Sequence, residues 1–207
     1  ARSGELLAAF REDDWQPGAV SATPVPGLYL LASYDQLHIY DHARRALVGA
    51  PLVLQGDGGI TSIDWDAGSG LIAAGTDKGL VVLMKLHREA EGARLEVLDR
   101  HAPQGLGPRN DLLAVMLLDG GTKLVTVQYS PARAQAMADG VPALYRGLQH
   151  ETVRWDLATW KREHAYGSQL AGVQQAGFTR GEDWLVLAGV AGGTAKIEGK
   201  IELVDLR

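Results

Sequence analysis

Apolar residues in this chain come in short runs, and several of the runs alternate with polar positions at period two. Thr152, Arg154 and Asp156 interleave with Val153, Trp155 and Leu157, which sets one group on each face of an extended strand. The runs GLYLLASY, ITSIDW, GLIAAG, LVVLMKL, KLVTVQY, TVRWDL, WLVLAG and KIELVDL are rich in β-branched and aromatic residues and are bounded by Gly, Asp, Pro or Ser. This pattern predicts an all-β chain. Helix is expected in only two places, at ELLAAF near the start and at SPARAQAMADG, residues 130–140. In the second, Ser130 would cap, Pro131 would take the first helical position and Gly140 would stop the helix.

The runs repeat in a fixed order. From Gly56 to Leu86 the chain reads as turn, strand, Gly-containing turn, strand, tight Asp-containing turn and strand. Residues 18–54 follow the same order, with Gly27 answering Gly70, Asp35 answering Asp77, and Tyr40-Asp41 at the end of the third strand. The order recurs in DLLAVMLLDGGTKLVTVQYS, resumed after an interruption by ETVRWDLATWKREHAY, and again in AGVQQAGFTRGEDWLVLAGV with KIELVDLR. These are four units of roughly 40 to 50 residues, the length of a propeller blade.

On these residues the chain resembles a WD-repeat β-propeller. Trp155-Asp156 supplies the name-giving dipeptide, and Tyr40-Asp41, Met84-Lys85 and Val204-Asp205 stand at the matching places. Gly56-Asp57 stands where that family has Gly-His, and Asp35 and Asp77 hold its tight-turn aspartate. In the third and fourth units longer loops replace that turn, so the family's buried tetrad of His, Ser or Thr, Asp and Trp is expected to be incomplete. Apolar packing between blades then carries more of the stability.

The resemblance implies a single unit of four-stranded antiparallel blades at about residues 12–56, 57–99, 108–167 and 169–207, with residues 1–11 as an outer closing strand. Read head to tail, KIELVDLR followed by ARSGELLAAF gives a third strand, a turn at Ser3-Gly4 and an outer strand from Glu5 to Phe10. Rings of the family usually have about seven blades. Part of a larger ring is therefore the favoured expectation, with a homodimeric eight-bladed ring and a small closed ring as alternatives.

Composition narrows the function. A net charge of −5 and a pI near 5.7 argue against nucleic acid as partner, and Arg44-Arg45 and Lys161-Arg162 are only local pairs. With no cysteine there is no thiolate metal site or nucleophile, and a reducing, cytoplasmic location is expected. No apolar run reaches membrane-spanning length.

Catalytic motifs are lacking. The six histidines never take metal-ligand spacing, and GVAGGTAKIEGK misses the phosphate-loop pattern. Asp64 and Asp66 share a strand face in a pattern common at strand ends, and no Gly-x-Ser-x-Gly elbow occurs. The expectation is a protein that is not an enzyme, with no cofactor and no metal; the alternative is a hydrolase with its site in the central channel.

Departures from the minimal blade fall at residues 99–110, 130–150 and 190–199, in loops that the resemblance puts on one face. Long additions to a compact repeat tend to be either functional or disordered. The middle one mixes apolar, aromatic and Arg side chains of the kind that anchor interfaces. The reading is an interaction scaffold, part of a larger signalling, sensing or assembly protein, that binds a protein or peptide partner through Arg109, Arg133, Tyr145, Arg146 and His150. Of the tryptophans, Trp65, Trp155 and Trp184 sit in strands and are assigned to packing; Trp15 and Trp160, near turns, are the candidate exposed contacts.

Overall fold

A computed structural model describes residues 17–90, 92–103, 111–130, 149–179, 184–193 and 196–206. Both expected helices fall outside these residues, apart from Ser130, which is bonded to Gln149. So does the proposed outer strand Glu5 to Phe10.

The chain is all-β, as the alternation predicts. Blade 1 holds β1 (Pro17–Ala22), β2 (Leu28–Ser33), β3 (Gln36–Asp41) and β4 (Ala46–Val53), paired in sequence order. Blade 2 repeats the plan with β5 (Ile60–Trp65), β6 (Leu71–Thr76), β7 (Val81–Glu89) and β8 (Gly92–His101). Blade 3 is β9 (Leu112–Leu118), β10 (Lys123–Tyr129), β11 (His150–Asp156) and β12 (Lys161–Tyr166), with a 3-10 turn at Asp119–Gly121. Blade 4 has three strands among the described residues, β13 (Gly172–Thr179), β14 (Trp184–Gly193) and β15 (Lys196–Asp205). All pairs are antiparallel, and the four sheets take the arrangement of a β-propeller around a central channel.

The core lies between blades. One cluster joins Leu30, Leu37 and Ile39 of blade 1 to Ile72, Val82 and Met84 of blade 2. A second joins Ala73, Val81 and Leu83 of blade 2 to Leu124, Val153 and Trp155 of blade 3. A third joins Met116, Val125 and Val127 of blade 3 to Val173, Leu185 and Leu187 of blade 4. The two middle sheets thus spend their two faces on two neighbours: along β7, Val82 and Met84 point back to blade 1 while Val81 and Leu83 point forward to blade 3. Glycine permits the close approach at one crossing, since a Cβ on Gly75 would lie 2.8 Å from Val115 Cγ1.

The Trp-Asp dipeptide divides its work between the two sides of β11. Trp155 is buried in the seam with blade 2, and its Nε1 donates to Thr126 Oγ1 at 2.9 Å. Thr126 donates in turn to Gln128 Oε1 at 2.7 Å. The tryptophan and threonine of the expected tetrad are therefore joined, with Gln128 next in the chain. Asp156 accepts from Thr159 N and Oγ1 at 2.9 and 2.7 Å and so shapes the turn into β12.

Trp155→Phe keeps most of the packing and loses one buried hydrogen bond, with an expected cost of about 1 kcal/mol in urea unfolding. Trp155→Ala also opens a cavity between blades, and about 3–5 kcal/mol is expected.

Candidate functional site

In an up-and-down sheet the connection between second and third strands lies at the same end as the connection from the fourth strand to the next blade. Blades 3 and 4 use that end to gather their additions. Asp111, which follows residues 104–110, accepts a backbone bond from Tyr129 N at 3.1 Å, and its Oδ2 lies 3.0 Å from His150 Nε2. The stem of residues 131–148 is closed by Ser130 N donating to Gln149 O at 2.7 Å, with both residues buried. The side-chain amide of Gln149 donates across to Ala171 O in blade 4, and Ala171 N donates to Val190 O at 2.7 Å, where the third addition begins. One hydrogen-bonded chain, from Asp111 through Tyr129 and His150 to Gln149, Ala171 and Val190, therefore ties together the roots of all three additions.

The third addition is not the loop expected from its glycines. Val190 to Gly193 pair with Gly199 to Lys196, so β14 and β15 run on as a hairpin beyond the body of the blade. Every register position from Trp184↔Asp205 outward is filled, and backbone pairing replaces the irregular path that glycines allow. At the first addition, Asp99 to His101 belong to β8.

Of the five residues expected to touch a partner, Arg109, Arg133, Tyr145 and Arg146 lie outside the described residues. His150 is the first residue of β11; it is 3% exposed, sits edge-on to Tyr129 with centroids 6.3 Å apart, and meets Asp111. Its ring holds the root of the middle addition in place. The roles of Asp111 and Gln149 were not legible in the sequence, because each acts through a partner distant along the chain.

Trp160 is not an open contact either. Its indole stacks on His101 at 4.1 Å and donates to Asp99 Oδ2 at 2.9 Å, which locks the β11–β12 turn of blade 3 onto the outer strand of blade 2.

The opposite end of blade 3 is closed by charge. Lys123 donates to Asp156 Oδ2 at 2.7 Å and to Glu163, and Arg154 Nε reaches Glu163 Oε2 at 3.2 Å. The Lys123 ammonium, helped by the Thr159 hydroxyl, lowers the Asp156 carboxyl from 3.8 to about 2. The same carboxylates raise Lys123, through Asp156 first and Glu163 second.

The inner strands β1, β5, β9 and β13 border a channel cavity of about 610 Å³ that includes Asp64, Asp66 and Asp119. These acids hold the fold. Asp64 Oδ2 accepts from Leu117 N at 2.8 Å across blades, and Asp66 Oδ2 accepts from Ser69 N and Oγ at 2.7 and 2.8 Å within its own turn. Asp119 Oδ2 stands 3.9 Å from Arg154. No group of three or more His, Asp or Glu side chains suited to a metal ion occurs among the described residues. No helix there is long and apolar enough to cross a membrane.

Comparison with solved structures supports the fold. Hydrazine synthase from Kuenenia stuttgartiensis is similar over 98% of this chain and 49% of that chain, with TM-score 0.63 and 8% identity. The β-propeller domain of Cps50 (Swd1) from Myceliophteria thermophila is similar over 85% of this chain and 48% of that chain, with TM-score 0.60 and 13% identity. This chain spans about half the length of either. At such identities the likeness is one of fold alone. No protein-family model matches the sequence, and no curated protein matches it.

The Asp156 carboxyl carries a test of the charged end. Its folded pKa is depressed, so the contribution of its contacts is full above the unfolded value and is lost as pH falls from 3.8 to about 2. Carboxyl-carbon NMR is expected to give a midpoint near 2 for Asp156, and Lys123→Met should move that midpoint up toward 3.8.

Proposed function

We propose that this chain is a non-enzymatic interaction scaffold, a degenerate WD-repeat-like propeller that holds a protein or peptide partner on the end carrying its additions. The observation that carries this reading is the hydrogen-bonded chain through Asp111, Ser130, Gln149, Ala171 and Val190. Three additions far apart in sequence spring from one rigid floor. A fold that merely tolerated variable loops would have no need to bind their roots together across two blades.

The composition of residues 131–148 adds support. Arg133, Met137, Leu144, Tyr145 and Arg146 are the residue types that supply large, specific contacts at interfaces. The names of the two similar structures divide between an enzyme and a propeller domain. A hydrolase sited in the channel has less behind it, since Asp64 and Asp66 are engaged in holding strands and turns.

A photo-crosslinking residue at position 145 tests the reading against one at position 44, on the exposed β3–β4 turn at the other end of blade 1. The adduct is expected from 145 and not from 44. With the captured partner purified, replacing residues 131–148 by a short Gly-Ser link should weaken binding at least about tenfold while circular dichroism stays unchanged. Equal adducts from both positions, or full affinity after the replacement, would defeat the assignment.

A further inference from the structure

The tripeptide Asp-Gly-Gly occurs twice among the described residues, at 57–59 and at 119–121, and the fold treats the two copies differently. We infer that Asp119 is a site of spontaneous isomerisation to isoaspartate, through attack by Gly120 N, and that Asp57, followed by the same two glycines, is protected from it. A third Asp-Gly pair, Asp139-Gly140, lies outside the described residues.

The reaction needs only water and a backbone that can bend. Gly120 N attacks the Asp119 side-chain carboxyl carbon, the new C–N bond forms, and the amide proton and the carboxyl OH leave as water. The resulting five-membered imide opens when water returns. Where it breaks the original peptide bond to the α-carbonyl, the chain thereafter runs through Cβ and the α-carboxylate becomes the side group; no atom is gained or lost overall. Glycine in the attacking position makes the ring accessible, since it has no Cβ to obstruct closure.

Residues 119 and 120 are open to ring closure. Both are exposed, the Asp119 side chain by 59%, and a Cβ on Gly120 would meet nothing within 4 Å. The Asp119 carboxylate stands 3.9 Å from Arg154, too far for a hydrogen bond, and that guanidinium donates instead to Glu163 and to Leu206 O. Asp119 also holds φ at 52°, in the left-handed region that side chains disfavour, and Gly120 and Gly121 follow at 65° and 77°. Isomerisation releases that constraint, because the chain no longer passes through the α-carbonyl. The consequence falls on the seam between blades 2 and 3: Gly121 lies so close to Ser69 that a Cβ there would clash with the hydroxyl, so a backbone lengthened by one carbon displaces a packed turn.

At 57 the same chemistry is blocked on both reacting groups. The Asp57 side chain is 20% exposed, and Arg100 donates to its Oδ2 at 3.0 Å, which fixes the rotation of the carboxylate. Gly58 and Gly59 are buried, a Cβ on Gly58 would clash with Asp77 and Lys78, and Gly59 N donates to Asp77 Oδ1 at 2.9 Å. Asp57 N in turn donates to Leu54 O at 3.1 Å. Ring closure there requires the turn to leave blade 2, an opening that costs the bonds just named.

Ageing of the folded 207-residue chain at neutral pH and physiological temperature, followed by proteolysis, tests this. Isoaspartate is read at each site by electron-transfer fragmentation and by methylation with an isoaspartate-specific methyltransferase. At least about tenfold more is expected at 119 than at 57. In urea the two sites should react at similar rates, because they share the tripeptide and the fold that separates them is gone. No isoaspartate at 119 in the folded chain overturns the proposal. So does a folded ratio of 119 to 57 no greater than the ratio in urea, since the preference would then be local.

Discussion

The contact between facing sides of consecutive blades is the interaction on which the structure depends. Blades 2 and 3 are apolar on both faces, and no sheet can cover itself. Blade 2 is stable between blades 1 and 3 because Ile72, Val82 and Met84 find one neighbour while Ala73, Val81 and Leu83 find the other. Each fully buried side chain of this kind contributes about 1.5–3 kcal/mol, more than an exposed ion pair at the sheet ends can supply.

Polar bonds then fix what apolar packing leaves free to slide. Leu117 N to Asp64 and Ile60 N to Tyr34 O pin adjoining blades, and Tyr166 Oη to Leu206 O does so between blades 3 and 4. Of the channel aspartates, Asp64 belongs to this set. What remains for function is the end where Asp111, Gln149 and Ala171 bind the roots of the additions into a floor, opposite an end of blade 3 closed by Lys123, Asp156 and Glu163.

Much of the fold was legible in local pattern. Alternation at Thr152 to Leu157 gave the two faces of β11, and Trp155 proved to be packing, as its place inside a strand implied. The glycines at residues 189–199 misled, because glycine permits both a loose loop and a hairpin, and only the pairing of Val190 with Gly199 distinguishes them. Trp160 misled for a related reason: a turn position suggests exposure, but His101 and Asp99 come to it from another blade. His150 read as a surface contact from its neighbours in sequence, and the residue its ring meets, Asp111, lies 39 positions away.

The sequence by itself determined which segments are strands, their order within each blade and the repeat that makes blades of them. These depend on side-chain alternation and turn residues within a few positions, so they are written locally. Only the tertiary structure decided which blade face meets which and that the roots of three additions share one hydrogen-bonded floor. Those are matters of distance between residues far apart along the chain, and no local pattern encodes whether an apolar face will find a neighbour.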